Sequence, residues 1–319
     1  MIIHRDTSAL GTAAEQQLLT DYGLAGATPL AEGTQARVWA LGTDRVLKVY
    51  PNPDQQAHLE ILAEFYQRLD TSAVSWAVPR IRSVTRHDEL LATVEDRIPG
   101  TTMDTHARDA EDPQLEQLYL HTVRQLATVR LDPPLGRRRL FPAPADPADT
   151  GDWNAFVTAL ITAKWPAVAP ILRQDVPDID TRLTQLLDRF TGRYDGPEAV
   201  VHGDLYPGNI LMTDHETVTG VIDFGTFTLI GDPLYDLAAA CGFWRMYEPD
   251  HHAARDRLLA AAATGLTADE RRRLLDYLLI AAVTTCDLYP EPDRPISDTG
   301  HYQWAAGILA CEPYWNPAS

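Results

Sequence analysis

The chain has 319 residues, 45% of them hydrophobic and 23% charged, which is enough apolar sequence for a large core and excludes a disordered polyelectrolyte. Forty-five acidic side chains against twenty-seven Lys and Arg give a formal net charge of −18, which opposes nucleic-acid binding and suits a cationic small ligand. Cys241, Cys286 and Cys311 are widely separated, without a zinc-site spacing, and fit buried thiols in a reducing compartment.

The opening residues, Met-Ile-Ile-His-Arg-Asp, bring polar and charged groups too early for a signal peptide. No run approaches the roughly eighteen apolar residues of a membrane span. A cytoplasmic protein with no membrane partner is expected. Along the chain, Gly33 to Ala40 and Arg45 to Tyr50 read as short strands joined by the turn Leu41-Gly42-Thr43-Asp44. Leu59, Leu62, Tyr66 and Leu69 then recur at helical spacing. Arg80 to Thr85 and Leu90 to Arg97 read as a second hairpin, stopped by Ile98-Pro99-Gly100. Residues 1–97 thus form a small β-rich lobe, and 98–319 a larger, mainly helical one, in an α+β fold.

In the larger lobe, helical patterns cover Pro113 to Arg130, Trp153 to Leu172, Ile179 to Phe190, Pro233 to Tyr247, His251 to Ala263 and Thr267 to Asp287. The Pro- and Asp-rich stretch from Asp132 to Asp152 reads as a long surface connection. One β-rich, Gly-containing island, Ala199 to Leu229, interrupts the helices, and such irregular segments commonly carry function. Within it, HGDLYPGNIL places His202, Asp204 and Asn209 in a polar loop between apolar pairs. A short strand, Val218 to Ile222, delivers Asp223 just before Phe224-Gly225; its pairing with Ile210 to Met212 would return Asp223 close to Asn209. His202 is expected to tie backbone together, and His215 to lie exposed in the turn.

Phosphoryl transfer from a nucleotide needs a carboxylate to orient the acceptor hydroxyl, hard oxygen ligands for Mg²⁺, and a cation on the phosphates. Asp204 is placed for the first role and Asn209 with Asp223 for the second. Lys48, inside the strand Val46 to Tyr50, is placed for the third.

HGDLYPGNIL followed by VIDFG resembles the catalytic and metal-binding motifs of the aminoglycoside phosphotransferase family, relatives of the protein kinases. Spacings of five residues from Asp204 to Asn209 and fourteen on to Asp223 make the combined pattern specific. The resemblance implies a two-lobed kinase-like fold, ATP or GTP with Mg²⁺ as cofactors, Asp204 as the catalytic base and Asn209 and Asp223 as metal ligands. GDPLYDLA continues the family pattern, with Asp232 capping a helix and Asp236 bracing the catalytic loop. Two departures stand out. The phosphate loop has one glycine, Gly33, with Thr34 and Gln35 as further donors, and the acid expected to pair with Lys48 is Glu60, with Glu64 on the same helix face. The hinge is expected at Val94 to Arg97, where Glu95 and Arg97 would hold the purine through backbone groups.

The expected function is phosphorylation of a hydroxyl on a small, cationic molecule of the aminoglycoside type, as in antibiotic resistance. Asp232, Trp244, Tyr247, Glu248 and Asp287 are candidates to line the acceptor, acids meeting ammonium groups and rings covering sugar faces. Alternatives are a metabolite kinase acting on choline, an amino alcohol or a sugar-like acceptor, a macrolide kinase, and a non-catalytic nucleotide-binding scaffold. A monomer or homodimer is expected.

Overall fold

The computed structural model describes residues 11–33, 36–107, 111–141, 151–291 and 293–316. Helix α1 (Ala13–Asp21), capped by the Thr12 side chain, leads into a sheet built from the two expected hairpins. Its strands are β1 (Ala31–Glu32), β2 (Arg37–Leu41), β3 (Arg45–Tyr50), β5 (Ile81–His87) and β6 (Leu90–Asp96), in the order β1-β2-β3-β6-β5, all neighbours antiparallel. Between the hairpins come α2 (Gln56–Arg68) and the two-residue strand β4 (Leu69–Asp70). Alternation sorts the sheet's side chains: Trp39, Leu47, Val49, Leu90, Ala92 and Val94 pack one core, closed by Leu18 of α1.

Strand β7 (Thr101–Thr102) starts the larger lobe, followed by α3 (Pro113–Leu126), β8 (Arg130–Leu131), α4 (Trp153–Asp175) and α5 (Ile179–Asp188). The island supplies β9 (Ala199–Val201), β10 (Ile210–Met212), β11 (Val218–Val221) and β12 (Leu229–Gly231). Strands β9 and β12 pair with each other, whereas β10 lies between β11 and β7. Helices α6 (Leu234–Phe243), α7 (His251–Ala262), α8 (Ala268–Thr285), α9 (Gly300–Ala310) and α10 (Glu312–Trp315) complete the chain. The apolar α6 and the middle of α8 are buried at the centre of this lobe, where Cys241 and Cys286 also lie; Cys311 is half-buried.

Helix α4 is long and apolar enough to cross a membrane by length and composition. Its apolar side is occupied otherwise: Trp153, Phe156, Val157, Ile161, Val168 and Leu172 lie in the protein core. The stretch before it departs from the expected surface connection. Leu140 is fully buried and donates its N–H to Thr228, while Arg138 accepts the Ile230 N–H on its carbonyl and pairs with Glu198 at 2.7 Å. Buried arginines must be paired, and the chain supplies the pairs here. His215 is also tucked in, 3.3 Å from Asp112, rather than exposed.

Trp153 anchors this packing. It is fully buried, donates Nε1–H to the Tyr277 hydroxyl at 2.6 Å, and covers Gly231, where a Cβ would lie 2.1 Å from the indole ring. Replacing Trp153 with Ala should lower stability by about 3–5 kcal/mol, read from denaturant unfolding; a loss under about 1 kcal/mol would contradict this packing.

Candidate active site

The loop after β9 is held from below by one carboxylate. Asp236, in the first turn of α6, accepts the His202 N–H at 2.6 Å and the Gly203 N–H at 2.8 Å. Burial pushes the Asp236 carboxyl up to about 7, and these two N–H groups work against that by stabilising the charge. Gly203 has φ +79°, and a Cβ there would lie 2.1 Å from the Phe227 carbonyl oxygen, so the turn requires glycine. His202 is buried and its imidazole is held neutral, chiefly by that burial. Its Nε2–H faces the Ile222 carbonyl at 2.9 Å, and Nδ1 accepts the Asp204 N–H at 3.3 Å. The histidine therefore ties the two motif segments together.

From there the chain turns through Pro207–Asn209 into β10. The buried Asn209 donates Nδ2–H to the Asp204 carbonyl at 2.8 Å, and its own carbonyl accepts the Ile222 N–H at 2.9 Å. These bonds, with the β10–β11 ladder, bring Asp204, Asn209 and Asp223 together. Asp223 is exposed and sits at φ +68°, a conformation uncommon outside glycine. Phe224 beneath it is buried against His202 and against Phe65 and Tyr66 of α2, which joins the two lobes. The Asp204 carboxyl rises to about 7, first because it is desolvated and then because Asp223 and Asp236 repel its charge.

Across the cleft, Lys48 projects from β3. Its partner is Glu95 of β6, with Nζ 3.1 Å from Oε2, and Thr93 donates its hydroxyl to the other carboxylate oxygen at 2.9 Å. Burial alone would depress the Lys48 ammonium, but Glu95, Tyr50, Tyr66 and Asp223 together hold it well above its usual value. The expected partner Glu60 is instead exposed on α2 and bonded to Gln56, and Glu64 pairs with Arg68. The reason is helix phase: Leu59, Phe65 and Tyr66 turn inward, which leaves Glu60 and Glu64 facing water. An acid inside the hydrophobic run LLATVED was the sequence signal for a buried, paired Glu95.

The hinge expectation also changes. Strand β6 lies between β3 and β5 as far as Asp96, the Asp96 N–H bonds Arg80, and the Arg97 N–H bonds Asp44. These backbone groups of Val94 to Arg97 serve the sheet and its turn, and Glu95 contributes through its side chain. Gly33 turns the chain between β1 and β2, its N–H bonded to Ala36; Thr34 and Gln35 lie outside the described residues.

Two of the candidate acceptor residues are structural. Trp244 is buried and packs on Tyr119 with ring centroids 5.0 Å apart. Asp232 is buried, caps Leu234 and binds Arg273 at 2.7 Å and the Tyr277 hydroxyl at 2.8 Å. Asp287 is half-buried and paired with Lys164 at 2.5 Å. Tyr247 and Glu248 are exposed after α6.

Residues 26–275 match the family described as "Phosphotransferase enzyme family". The chain belongs to this family. A homoserine kinase from Gluconacetobacter diazotrophicus is 30% identical over 132 residues, 38% of this chain and 40% of that protein, so the chain spans less than half of that relative. Among solved structures, the gentamicin–APH(2")-IIa complex superposes with a TM-score of 0.56 at 16% identity, over 93% of this chain and 95% of that one. A macrolide 2'-phosphotransferase type I gives 0.53 at 19% identity, over 94% and 98%. The aminoglycoside phosphotransferase APH(3'')-Id from Streptomyces rimosus gives 0.50 at 21%, over 89% and 99%. These likenesses establish the two-lobed fold.

The donor set suits the hard cation that the fold implies. Asn209 uses its amide hydrogen on Asp204, so its Oδ1 and the exposed Asp223 carboxylate are both oxygen donors at the cleft. No group of three or more His, Cys, Asp or Glu suited to a metal occurs among the described residues. The Asn209 and Asp223 oxygens match the one or two protein ligands that Mg²⁺ commonly takes, its shell being completed by water and phosphate.

The chain has two lysines, Lys48 and Lys164, so ¹³Cε-lysine NMR resolves each. Glu95→Gln should lower the Lys48 pKa, because burial persists while the main opposing charge is removed. Glu60→Gln should leave it in place. The reverse result would return the pairing to α2.

Proposed function

We propose that the chain transfers the γ-phosphoryl group of ATP or GTP to a hydroxyl of a small, cationic, aminoglycoside-type molecule. The observation that carries this reading is the pairing of Asp204 and Asp223 on one wall of the cleft with Lys48, charged and clamped by Glu95, close enough to feel Asp223. In this reading residues 1–97 form the nucleotide lobe and 98–319 carry the catalytic loop and the acceptor.

Asp204 accepts a hydrogen bond from the acceptor hydroxyl and aims its oxygen at the γ-phosphorus. As the new P–O bond forms, the bond from that phosphorus to the β–γ bridging oxygen breaks, the proton passes to the Asp204 carboxylate, and the nucleoside diphosphate leaves. Lys48 holds the α- and β-phosphates, while the Gly33 N–H is spent within its own turn on the Ala36 carbonyl. Asn209 and Asp223 hold Mg²⁺, which supplies charge neutralisation on the phosphates. The rate comes mainly from positioning and from fixed charges, as in phosphoryl transfer generally. The net charge of −18 supports a cationic acceptor over an anionic one. The short match to a homoserine kinase favours a second reading, phosphorylation of a small amino-acid alcohol.

Incubation with Mg-ATP or Mg-GTP and a panel of gentamicin, streptomycin, a macrolide, choline and homoserine, read by product mass, separates these readings. Product from an aminoglycoside is expected, and product from homoserine alone would replace the first reading with the second. Asp204→Ala should lower kcat by roughly 10²–10⁴-fold with nucleotide affinity nearly unchanged. Asp223→Ala should weaken Mg-nucleotide binding as well. Near-native turnover by Asp204→Ala would remove it as the base.

A further inference from the structure

Among the described residues, the exposed large hydrophobic side chains are Leu30, Tyr206, Tyr247 and Tyr289. The three tyrosines come from separate segments: the catalytic loop, the turn after α6 and the turn after α8. Tyr206 lies two residues from Asp204, bonds its N–H to the Asp204 carbonyl at 3.0 Å, and lays its ring over Gly208, where a Cβ would meet the ring at 2.3 Å. Tyr247 and Tyr289 share one support, the buried His301. The Tyr247 hydroxyl lies 3.1 Å from His301 Nδ1, and the Tyr289 ring meets the imidazole edge-on at 5.4 Å. Trp304 backs the imidazole at 5.1 Å.

All three phenols feel the Asp204 carboxylate. Burial raises each of them first, and Asp204 is the next cause in every case; Tyr206 rises to about 12. Tyr206 adjoins the base directly, and His301 holds Tyr247 and Tyr289 together within the same field, so the three form a rim. Tyr289 is also held at φ +57°, a backbone conformation that a bulky residue rarely adopts. Such outliers, when the surroundings impose them, point to a site.

The charge around this rim has one sign. The charged groups acting on Tyr206 are Asp204, Asp223 and Asp104. The basic groups of the flanking segments are paired: Lys164 with Asp287, Arg245 with Asp250, and Arg294 with Glu291. His301, pushed down to about 4 chiefly by burial, adds no positive charge at neutral pH. A free carboxylate on the acceptor would find no partner in this set, whereas an ammonium would find both acids and aromatic faces.

Resting on the proposed transfer reaction, we propose that Tyr206, Tyr247 and Tyr289 determine acceptor specificity by laying their ring faces against the saturated, amine-bearing ring of a positively charged acceptor. His301 is the positioning residue that fixes two of the three rings. The selection thus runs through aromatic faces in an acidic field, and only secondarily through individual ion pairs. An amine-bearing ring fits; a small zwitterion, with little surface to stack and a carboxylate to desolvate, does not.

The test uses the full chain labelled with 3-fluorotyrosine, its rim signals assigned through Tyr206→Phe, Tyr247→Phe and Tyr289→Phe, and loaded with a magnesium complex of a non-hydrolysable ATP analogue. Gentamicin, choline and homoserine are titrated in turn and the ¹⁹F shifts followed. Gentamicin should move the rim signals, and homoserine at the same concentration should not. Tyr247→Ala and Tyr289→Ala should each raise the half-maximal gentamicin concentration about tenfold or more, Tyr247→Phe less than threefold, with nucleotide affinity changed less than twofold. Rim signals that no probe moves, or that homoserine alone moves, would overturn the proposal. Product from gentamicin without rim shifts would overturn the rim and leave the transfer reaction standing. Rim shifts without product from any acceptor would do the opposite.

Discussion

One buried carboxylate organises the catalytic side of the cleft. Asp236 stands where α6 begins and accepts two consecutive N–H groups from the His202-Gly203 turn. Left unpaired inside the core, those donors would each cost on the order of 1–3 kcal/mol, and the carboxylate more. The turn is consequently locked to the helix. Once it is locked, Gly203 must take its left-handed backbone under Phe227, His202 reaches Ile222, and Asp204 and Asp223 come out on the same wall. This buried acid thereby decides where the acids at the cleft surface point.

The opposite wall obeys a different rule. Lys48 and Glu95 lie on adjacent antiparallel strands, so their pairing is set by the register of β3 against β6, in which Lys48 faces Thr93 and Val46 faces Glu95. A sheet register is far stiffer than the docking of a helix. Helix α2, relieved of supplying the lysine's partner, offers Phe65 and Tyr66 to Phe224 instead. The helix couples the lobes through apolar contact, and the ion pair of the cation is set by the sheet.

Much of this was legible in the sequence because the motif is local. The intervals between Asp204, Asn209 and Asp223 span one turn and one tight hairpin, so spacing nearly determines geometry. Both N-lobe hairpins and most helices were legible for the same reason, through periodicities of two and 3.6 residues. What depends on packing between distant segments was not. Which glutamate meets Lys48 is a question of helix phase against a sheet, and the helical acids Glu60 and Glu64 drew attention away from Glu95 in its hydrophobic run. Trp244 carried an aromatic signal that fits a sugar face or a core equally well, and Tyr119 decides for the core. Arg138 and Leu140 sat in a stretch whose prolines read as surface, yet Thr228, Ile230 and Glu198 draw them inside. The rim tyrosines were missed because they share no segment; only Tyr247 stood out, as one ring among acids.

The charges of the cleft complete the argument. Lys48 is matched first by Glu95, and the carboxyl of Asp204 is raised by burial and then by the company of Asp223 and Asp236. Carboxylates this close repel each other more strongly as water leaves a closing site, since the interaction scales inversely with the local dielectric. The folded chain therefore favours ligands that bring positive charge to the Asp204–Asp223 wall. In the proposed reaction, a divalent cation at Asp223 answers one half of that demand, and an ammonium-bearing acceptor at the proposed tyrosine rim answers the other. Under that proposal the same field is selective: a polyanionic nucleotide is favoured together with a divalent cation, and an anionic acceptor is repelled by Asp204. Acidity of the whole chain and acidity of the wall act in the same direction, and both favour the cationic acceptor proposed for this cleft.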